Sequence, residues 1–235
     1  MKTTTDTLDR ARLPGHVAII MDGNRRWARS RGLPAVAGHK KGVEAVHTVV
    51  KAASDAGIKA LTLYAFSTEN WSRSKLEIKA LMFLLEQAIT SYADELNREK
   101  VRLVISGRLD ALSANAREKI DQTTRKLSGN TGMTLNVAIN YGGRQEILDA
   151  VNTALSSGVK SVDEKSFSAL LYTPALPDPD LLIRTSGERR ISNFLLWQTA
   201  YSEFYVTDTL WPDFGAKEFT RALLDYQARE RRRGA

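Results

Sequence analysis

Residues 16–28 read HVAIIMDGNRRWA. An unbroken apolar, β-branched run closed by Asp22-Gly23-Asn24 describes a buried strand that ends in a turn, and the residues after the turn are helical in character. From Gly38 onward Val43, Val46, Val50 and Ala53 recur at helical spacing, with Gly57 placed as a C-cap. A second buried run, IKALTLYAF, occupies 58–66. Strand, helix, strand is therefore the opening phrase of the chain.

The rest repeats it. Lys75 to Glu99 is the longest helical pattern, with Ile78, Leu81, Met82, Leu85, Ile89, Tyr92 and Leu96 on one face and Phe83, Leu84 and Ala88 widening it, so this helix has more than one thing to cover. Strands are expected at Val101–Ser106, Thr134–Asn140, Leu181–Thr185 and Glu203–Thr207. Helices are expected around Ser113–Leu127 and Gly143–Leu155 and from about Ala216, and a loop holds Pro174, Pro177 and Pro179. Alternating strands and helices predict an α/β fold, a central, mainly parallel sheet flanked by helices. One domain is expected over 14–234, with residues 1–13 as a flexible tail and no internal repeat.

The chain has 235 residues, enough for one substantial core. With no cysteine, disulfides, iron–sulfur clusters, thiolate zinc sites and cysteine nucleophiles are excluded. The segment before Pro14 lacks a signal-peptide core, and no apolar run approaches the roughly 20 residues of a membrane span. The formal charge of +7 is local. Arg25, Arg26, Arg29, Arg31, Lys40 and Lys41 stand against Asp22; Arg184, Arg189 and Arg190 against Glu188; Arg229, Arg231, Arg232 and Arg233 against Glu230. Such clusters suit an anionic ligand more than a generally cationic surface. Aromatic residues are not interleaved with them as stacking platforms, which argues against nucleic acid.

Ligands of open α/β sheets sit beyond the carboxyl ends of the strands. The first such loop is Asp22-Gly23-Asn24-Arg25-Arg26-Trp27. A carboxylate after a buried strand can hold Mg²⁺, and a helix N-terminus offers amides to a phosphate; equally, Asp22 can simply N-cap that helix. Ser67-Thr68-Glu69-Asn70-Trp71-Ser72-Arg73 packs hydroxyls, a carboxylate, an amide, an indole and a guanidinium into seven residues, the alternative being a surface loop with Trp71 tucked inward. Arg184 to Ser192 joins arginines, hydroxyls and a glycine in a natural diphosphate clamp, and Glu203 offers a second carboxylate. No P-loop, no G-x-G-x-x-G after a strand and no G-x-S-x-G elbow is present. His16, His39 and His47 lack zinc spacing. His47 reads as structural, while His39, at a helix start beside Lys40, is the one to place near an anion.

Taken together, HVAIIMDGNRRWA (16–28), GHKKG (38–42), LTLYAFSTENWSR (61–73), NYGGR (140–144) and the run from Asp180 to Phe214 resemble the cis-prenyltransferase family. The resemblance implies a sheet with a hydrophobic product tunnel, a homodimer, and sequential condensation of isopentenyl diphosphate onto an allylic diphosphate, farnesyl diphosphate being the expected primer. The expected product is a long-chain polyprenyl diphosphate such as undecaprenyl diphosphate, the carrier-lipid precursor for cell-wall synthesis. A short- or medium-chain synthase is the alternative within the family, and a non-catalytic partner subunit the alternative outside catalysis.

Residue by residue, the resemblance implies Asp22 as the Mg²⁺ carboxylate and Glu203 as a further one, and Asp22, Asn70 and His39 as catalytic. Gly23, Asn24, Arg25 and Arg26 would hold the allylic diphosphate, with Trp27 and Arg31 added to the substrate-binding set. Arg184, Arg190 and Ser192 would hold isopentenyl diphosphate. Ser67, Glu69, Asn70, Trp71 and Arg73 match a mobile catalytic loop. Arg232-Arg233-Gly234 resembles the R-x-G that in some members reaches the partner's active site. The expected location is the cytoplasm, with peripheral contact to anionic membrane. The chain departs from the pattern at Ala35, where many relatives carry Arg, and at Arg189, where some carry a metal-associated His. Small Ala65 and apolar Met133 fall where tunnel depth is set in relatives.

Overall fold

The structure is a computed structural model that describes residues 8–229. Its six strands form one sheet, all pairings parallel. They are β1 (His16–Ile20), β2 (Ala60–Ser67), β3 (Arg102–Ser106), β4 (Thr134–Tyr141), β5 (Leu181–Arg184) and β6 (Glu203–Val206), ordered β3-β4-β2-β1-β5-β6. From β1 the chain adds β2 beside it, then β3 at the edge and β4 between β2 and β3, and crosses to place β5 and β6 on the other side. The sheet therefore reverses direction at β1, and the residues just after it sit at the topological switch point, where such sheets bind ligands.

Every residue of β1 is buried, because helices cover both faces. Val17 and Ile19 enter the main core with Leu61, Leu63 and Phe219; Ala18 and Ile20 enter a second cluster with Tyr141, Leu182 and Phe194. Alternate side chains of one strand thus serve opposite layers. Eight helices complete the described chain: α1 (Asn24–Arg29), α2 (Ala35–Ala56), α3 (Lys75–Ser91), α4 (Ala93–Arg98), α5 (Ala114–Leu127), α6 (Gly143–Ser156), α7 (Glu164–Ser168) and α8 (Ala216–Ala228).

Three expectations need adjustment. The Lys75–Glu99 helix is two helices, because Tyr92, at φ −91° and ψ −1°, closes α3 and opens α4; α2, with 22 residues, is the longest. The short helix α7 was not legible in the periodicity; an Asp163 capping box starts it, and Phe167 buries against Trp197. Of the tail, residues 10–12 form a 3-10 turn in which Arg12 donates to the Gln227 carbonyl and Gln227 Nε2 donates to the Asp9 carbonyl at 2.6 Å, tying this segment to α8. Gly57 caps α2 at φ 94°, as the sequence indicated.

Helices α1 and α2 cross at Gly38. A Cβ there would lie 2.0 Å from the Asn24 carbonyl oxygen, so only glycine lets the helix carrying His39 touch the turn carrying Asp22.

Candidate active site

The switch point carries Asp22. It does not cap α1: Gly23, at φ 111°, is the cap residue and no side chain bonds the helix start. Instead Asp22 Oδ2 accepts from Arg184 Nη2 at 3.0 Å, and Arg26 stands 3.7 Å away. The Asp22 main-chain carbonyl is fixed separately, by Thr185 Oγ1 at 2.6 Å and the Trp211 amide at 3.0 Å. The backbone is thus anchored while the carboxylate faces the cleft, and its Oδ1 has no partner among the described residues.

Arg184 ends β5 with its side chain 7% exposed. Its Nη1 donates to Ser192 Oγ at 2.7 Å and to the Arg190 carbonyl, which folds the 187–192 loop over it. Its Nε is buried without a partner, an orphan donor beside a carboxylate, as an anion site provides. Ser192, Asn193 and Leu195 all adopt positive φ, which places local backbone strain in this loop. Arg26 bonds Ser186 and lies 3.6 Å from Glu188.

The 67–73 loop closes the opposite side. Residues 68–72 form a 3-10 turn in which the Ser67 amide donates to Asn70 Oδ1 at 3.1 Å. Trp71 donates its indole N–H to Asn140 Oδ1 at 2.7 Å and packs edge-on against Phe66. It therefore pins the loop to the end of β4 from beneath. Asn193 Nδ2 donates to Glu69 Oε1 at 2.9 Å. Partial burial works to raise the Glu69 carboxyl, but the hydrogen bonds from Asn193 and from its own loop outweigh this and hold it below the usual carboxylate range.

At the mouth, Glu77 collects His39 Nε2 at 3.3 Å, Arg73 at 3.0 Å and Arg25 at 3.9 Å. Burial pushes His39 below the ordinary histidine range despite the Glu77 hydrogen bond, so its imidazole is neutral at neutral pH.

The structure brings Asp22, Gly23, Asn24, Arg25, Arg26 and His39 to one cleft, joined on its other side by Ser67, Glu69, Asn70, Arg73, Arg184 and Ser192. It does not bring in Trp27 or Arg31. Trp27 Nε1 donates to Asp213 at 2.8 Å, and Arg31 lies over the Trp27 ring while pairing with Asp213 at 3.2 Å, so both face away. Arg190 is on the rim, paired with Glu188 at 2.6 Å.

Glu203 is a correction for a single chain. It begins β6 level with Leu181 and Val17, at the opposite ends of the strands, and its carboxylate meets Arg229 at 2.7 Å. Five residues of strand, about 16 Å, separate that level from Asp22, too far to share an ion. Arg232-Arg233-Gly234 lies outside the described residues. Arg29, Tyr64 and Asn193 line the cleft and were not among the expected site residues; Arg29 stood only in the basic cluster after Asp22, Asn193 lies inside the Asp180–Phe214 run, and Tyr64 carried no signal. Ala35 lines the same cleft, so the arginine expected there is absent from its wall.

Asp22 fits Mg²⁺. That ion is commonly held by one or two carboxylates with substrate phosphates and water completing the shell, and the unpartnered Asp22 Oδ1 is a carboxylate oxygen of the kind that would hold it. No cluster of three or more acidic or histidine side chains exists among the described residues to hold a metal alone.

Behind the cleft, between α2, α3 and the sheet, lies an apolar cavity of about 160 Å³ lined by Val43, Val46, Leu63, Ala65, Leu85 and Leu135 among others. Met21, Asn24 and His39 line both spaces. Of α3 only Ile89 is fully buried; Leu81 and Leu85 line this cavity and, with Met82, pack against the core. Ala65 is on its wall; Met133 is in the core nearby.

A cationic, acid-bearing cleft beside an apolar cavity is the lining that a lipid diphosphate suits. The sequence profile described as putative undecaprenyl diphosphate synthase, a prenyltransferase family, matches residues 20–234, and the chain belongs to that family. It is 52% identical to an isoprenyl transferase of Thermotoga maritima, covering 95% of this chain and 97% of that one. It is 48% identical to one of Bacillus subtilis, covering 98% and 91%. Among solved structures it resembles lavandulyl diphosphate synthase from Lavandula x intermedia, in complex with dimethylallyl diphosphate, at TM-score 0.92 and 37% identity, covering 96% and 100%. It also resembles a probable undecaprenyl diphosphate synthase from Campylobacter jejuni at TM-score 0.81 and 33% identity, covering 94% and 99%. The protein is thus an isoprenyl transferase of the cis-prenyltransferase type, acting on isoprenoid diphosphates.

Proposed function

We propose that the protein elongates an allylic diphosphate, farnesyl diphosphate, by sequential addition of isopentenyl diphosphate with cis double bonds, to a long-chain polyprenyl diphosphate of the undecaprenyl kind used as a cell-wall carrier lipid. The observation that supports this is that Met21, Asn24 and His39 line both the cleft and the apolar cavity. A diphosphate among Asn24, Arg25, Arg26 and Arg29 places its hydrocarbon tail over the cavity mouth. Ionisation of the allylic ester puts negative charge on the departing diphosphate, and preorganised guanidinium groups stabilise that charge where it develops. Neutral His39, at the same wall, gives its one N–H to Glu77, the carboxylate that also holds Arg73, and so positions that guanidinium beside the departing group. Arg184 and Ser192 hold the second diphosphate across Asp22. Bound at Asp22, Mg²⁺ would supply further charge neutralisation. The growing tail, worth about 0.8 kcal/mol per buried CH₂, drives itself into the cavity, which serves as the product tunnel.

Retention of Asp22 and the whole 67–73 loop disfavours a non-catalytic subunit. A short- or medium-chain product is the other outcome the cavity's size allows. Incubation with labelled isopentenyl diphosphate and geranyl, farnesyl or geranylgeranyl diphosphate, followed by sizing of the dephosphorylated products, separates these readings: a product of three or four isoprene units would replace the long-chain assignment.

We also propose a homodimer. It is supported by exposed Tyr201, Phe204 and Val206 along the unpaired edge of β6. No helix among the described residues is long and apolar enough to cross a membrane; peripheral contact through the C-terminal arginines and a cytoplasmic location complete the proposal.

A further inference from the structure

Among the described residues, a single side-chain hydrogen bond joins the 67–73 loop to the 184–193 loop across the cleft, from Asn193 Nδ2 to Glu69 Oε1 at 2.9 Å. Its two ends are held differently. Asn193 belongs to a fixed frame. Its main-chain carbonyl accepts from the Gly143 amide at 2.7 Å and its Oδ1 from the Arg144 amide at 2.9 Å. A residue of a distant loop thus caps α6, a duty that Gly142, with no side chain, cannot perform. Beside it, Ser192 Oγ accepts from Arg184 at 2.7 Å and the Ser192 carbonyl accepts from Tyr64 Oη at 3.4 Å. Asn193 itself sits at φ 62°, a left-handed conformation that Asn and Asp adopt more readily than most side chains. With Oδ1 committed to an amide N–H, Nδ2 is left to face the carboxylate, so the orientation of the side chain follows from its partners.

Glu69 belongs to the loop. That loop is also tied by Trp71 to Asn140 beneath and by Arg73 to Glu77 on α3, and neither tie reaches the 184–193 side. Room for the cross-cleft bond depends on Gly142, where a Cβ would lie 2.8 Å from Asn193 Nδ2 and 2.7 Å from Thr68 Oγ1. The turn after β4, the 67–73 loop and the 192–193 turn therefore meet at one point. Because its acceptor is ionised, the bond is charge-assisted and carries about tenfold or more in an equilibrium.

Resting on the transfer reaction proposed above, we propose that Asn193 is a positioning residue that latches the 67–73 loop to the turn carrying Ser192. Arg184 and Ser192, which hold the second diphosphate in that reading, are bonded to each other in the frame that presents Nδ2 to Glu69. The latched loop in return keeps Asn70 and Arg73 on the wall of the same cleft. Seating isopentenyl diphosphate and closing the loop are thereby coupled, each favouring the other. The allylic diphosphate is seated by α1 and its turn, apart from the latch.

Asn193→Asp separates the two duties of the side chain. Aspartate accepts the same backbone conformation and keeps an oxygen for the Arg144 amide, but it loses the donor and sets a second carboxylate against Glu69. With the full-length protein, farnesyl diphosphate and labelled isopentenyl diphosphate, kcat/KM for isopentenyl diphosphate should fall at least about tenfold. KM for the allylic substrate should stay within about twofold. Adding Glu69→Gln to Asn193→Asp puts an amide donor opposite the new carboxylate and should recover most of the loss. Hydrogen exchange at the amides of residues 68–72 reads the latch without turnover: it should quicken in Asn193→Asp and slow again in the double variant. A double variant as impaired as Asn193→Asp alone would overturn the latch, because a merely structural role offers no such rescue. Equal rises in KM for both substrates, or exchange unaltered by Asn193→Asp, would overturn it too. Absence of incorporation by the wild-type protein with any primer would instead bring down the transfer reading, and the coupling to isopentenyl diphosphate with it, while the exchange comparison would still decide the loop contact.

Discussion

Replacing Gly38 by alanine sets two effects of opposite sign against each other. In a helix interior Gly→Ala ordinarily stabilises by about 1 kcal/mol. Here the new Cβ would fall 2.0 Å from the Asn24 carbonyl oxygen, 2.8 Å from its carbon and 3.2 Å from Ala28 Cβ. Even a close carbon–oxygen contact needs about 3.3 Å, so α1 must retreat by more than about 1 Å. The obstacle is backbone and has no rotamer to escape into. Overpacking of this kind costs about 1–3 kcal/mol, and the upper end applies, leaving a net loss of about 1–2 kcal/mol. The same retreat moves Asp22, Asn24 and Arg26 relative to His39, and misplacement by about 1 Å is worth up to about 10²-fold in rate. Urea unfolding and steady-state prenyl transfer measure the two parts. Gly129→Ala, where nothing lies within 4 Å of the added Cβ, is the control. A Gly38→Ala protein more stable than wild type with unchanged turnover would refute the close-approach argument.

Further outcomes follow from the site's placement. Arg26→Ala should raise the apparent KM for the allylic substrate at least tenfold, whereas Arg31→Ala, whose guanidinium pairs with Asp213, should change it less than twofold; equal effects would contradict the corrected assignment. Trp71→Phe keeps the contact with Phe66 but loses the bond to Asn140, and should lower kcat with little change in unfolding midpoint. Stability should fall as pH drops. Burial lowers the pKa of His16, which donates from Nδ1 to the Pro177 carbonyl and accepts at Nε2 from Thr62, and burial lowers that of His39 also. Above pH of about 6.5 both folded and unfolded chains hold these rings neutral; below it the unfolded chain binds protons the folded one refuses. Urea midpoints should therefore decline from pH 7 to pH 5, less steeply in His16→Gln, and a rise over that range would contradict the neutral buried state.

Much of the fold was legible because parallel strands covered on both faces are continuous apolar runs: HVAII and ALTLYAF could be placed to within two residues. The break at Tyr92 was not, since the apolar face continues through Leu96 and only the backbone turn reveals two helices. At the site, Asp22, the 67–73 loop and Arg184 lie directly after strands, where topology alone brings them together. Trp27 shares a motif and a helix with Arg26, but helical rotation points it the other way, and Arg31, in the turn after α1, follows it to Asp213; closeness in sequence says nothing of direction. Glu203 failed within one chain for a related reason. It starts a strand, and in a parallel sheet starts and ends are on opposite edges. Asn193 holds Glu69 through a positive-φ turn that no pattern of residue types announces.

The central claim is that Asp22 and the arginines around it hold two diphosphates at the mouth of an apolar tunnel. The direct measurement is transfer of label from isopentenyl diphosphate into a butanol-extractable product with farnesyl diphosphate and Mg²⁺, by the wild-type protein and by Asp22→Ala. The account predicts steady incorporation by wild type and a loss of at least about 10²-fold in the variant with its fold intact. Equal incorporation by the two proteins, or none by wild type, would contradict it.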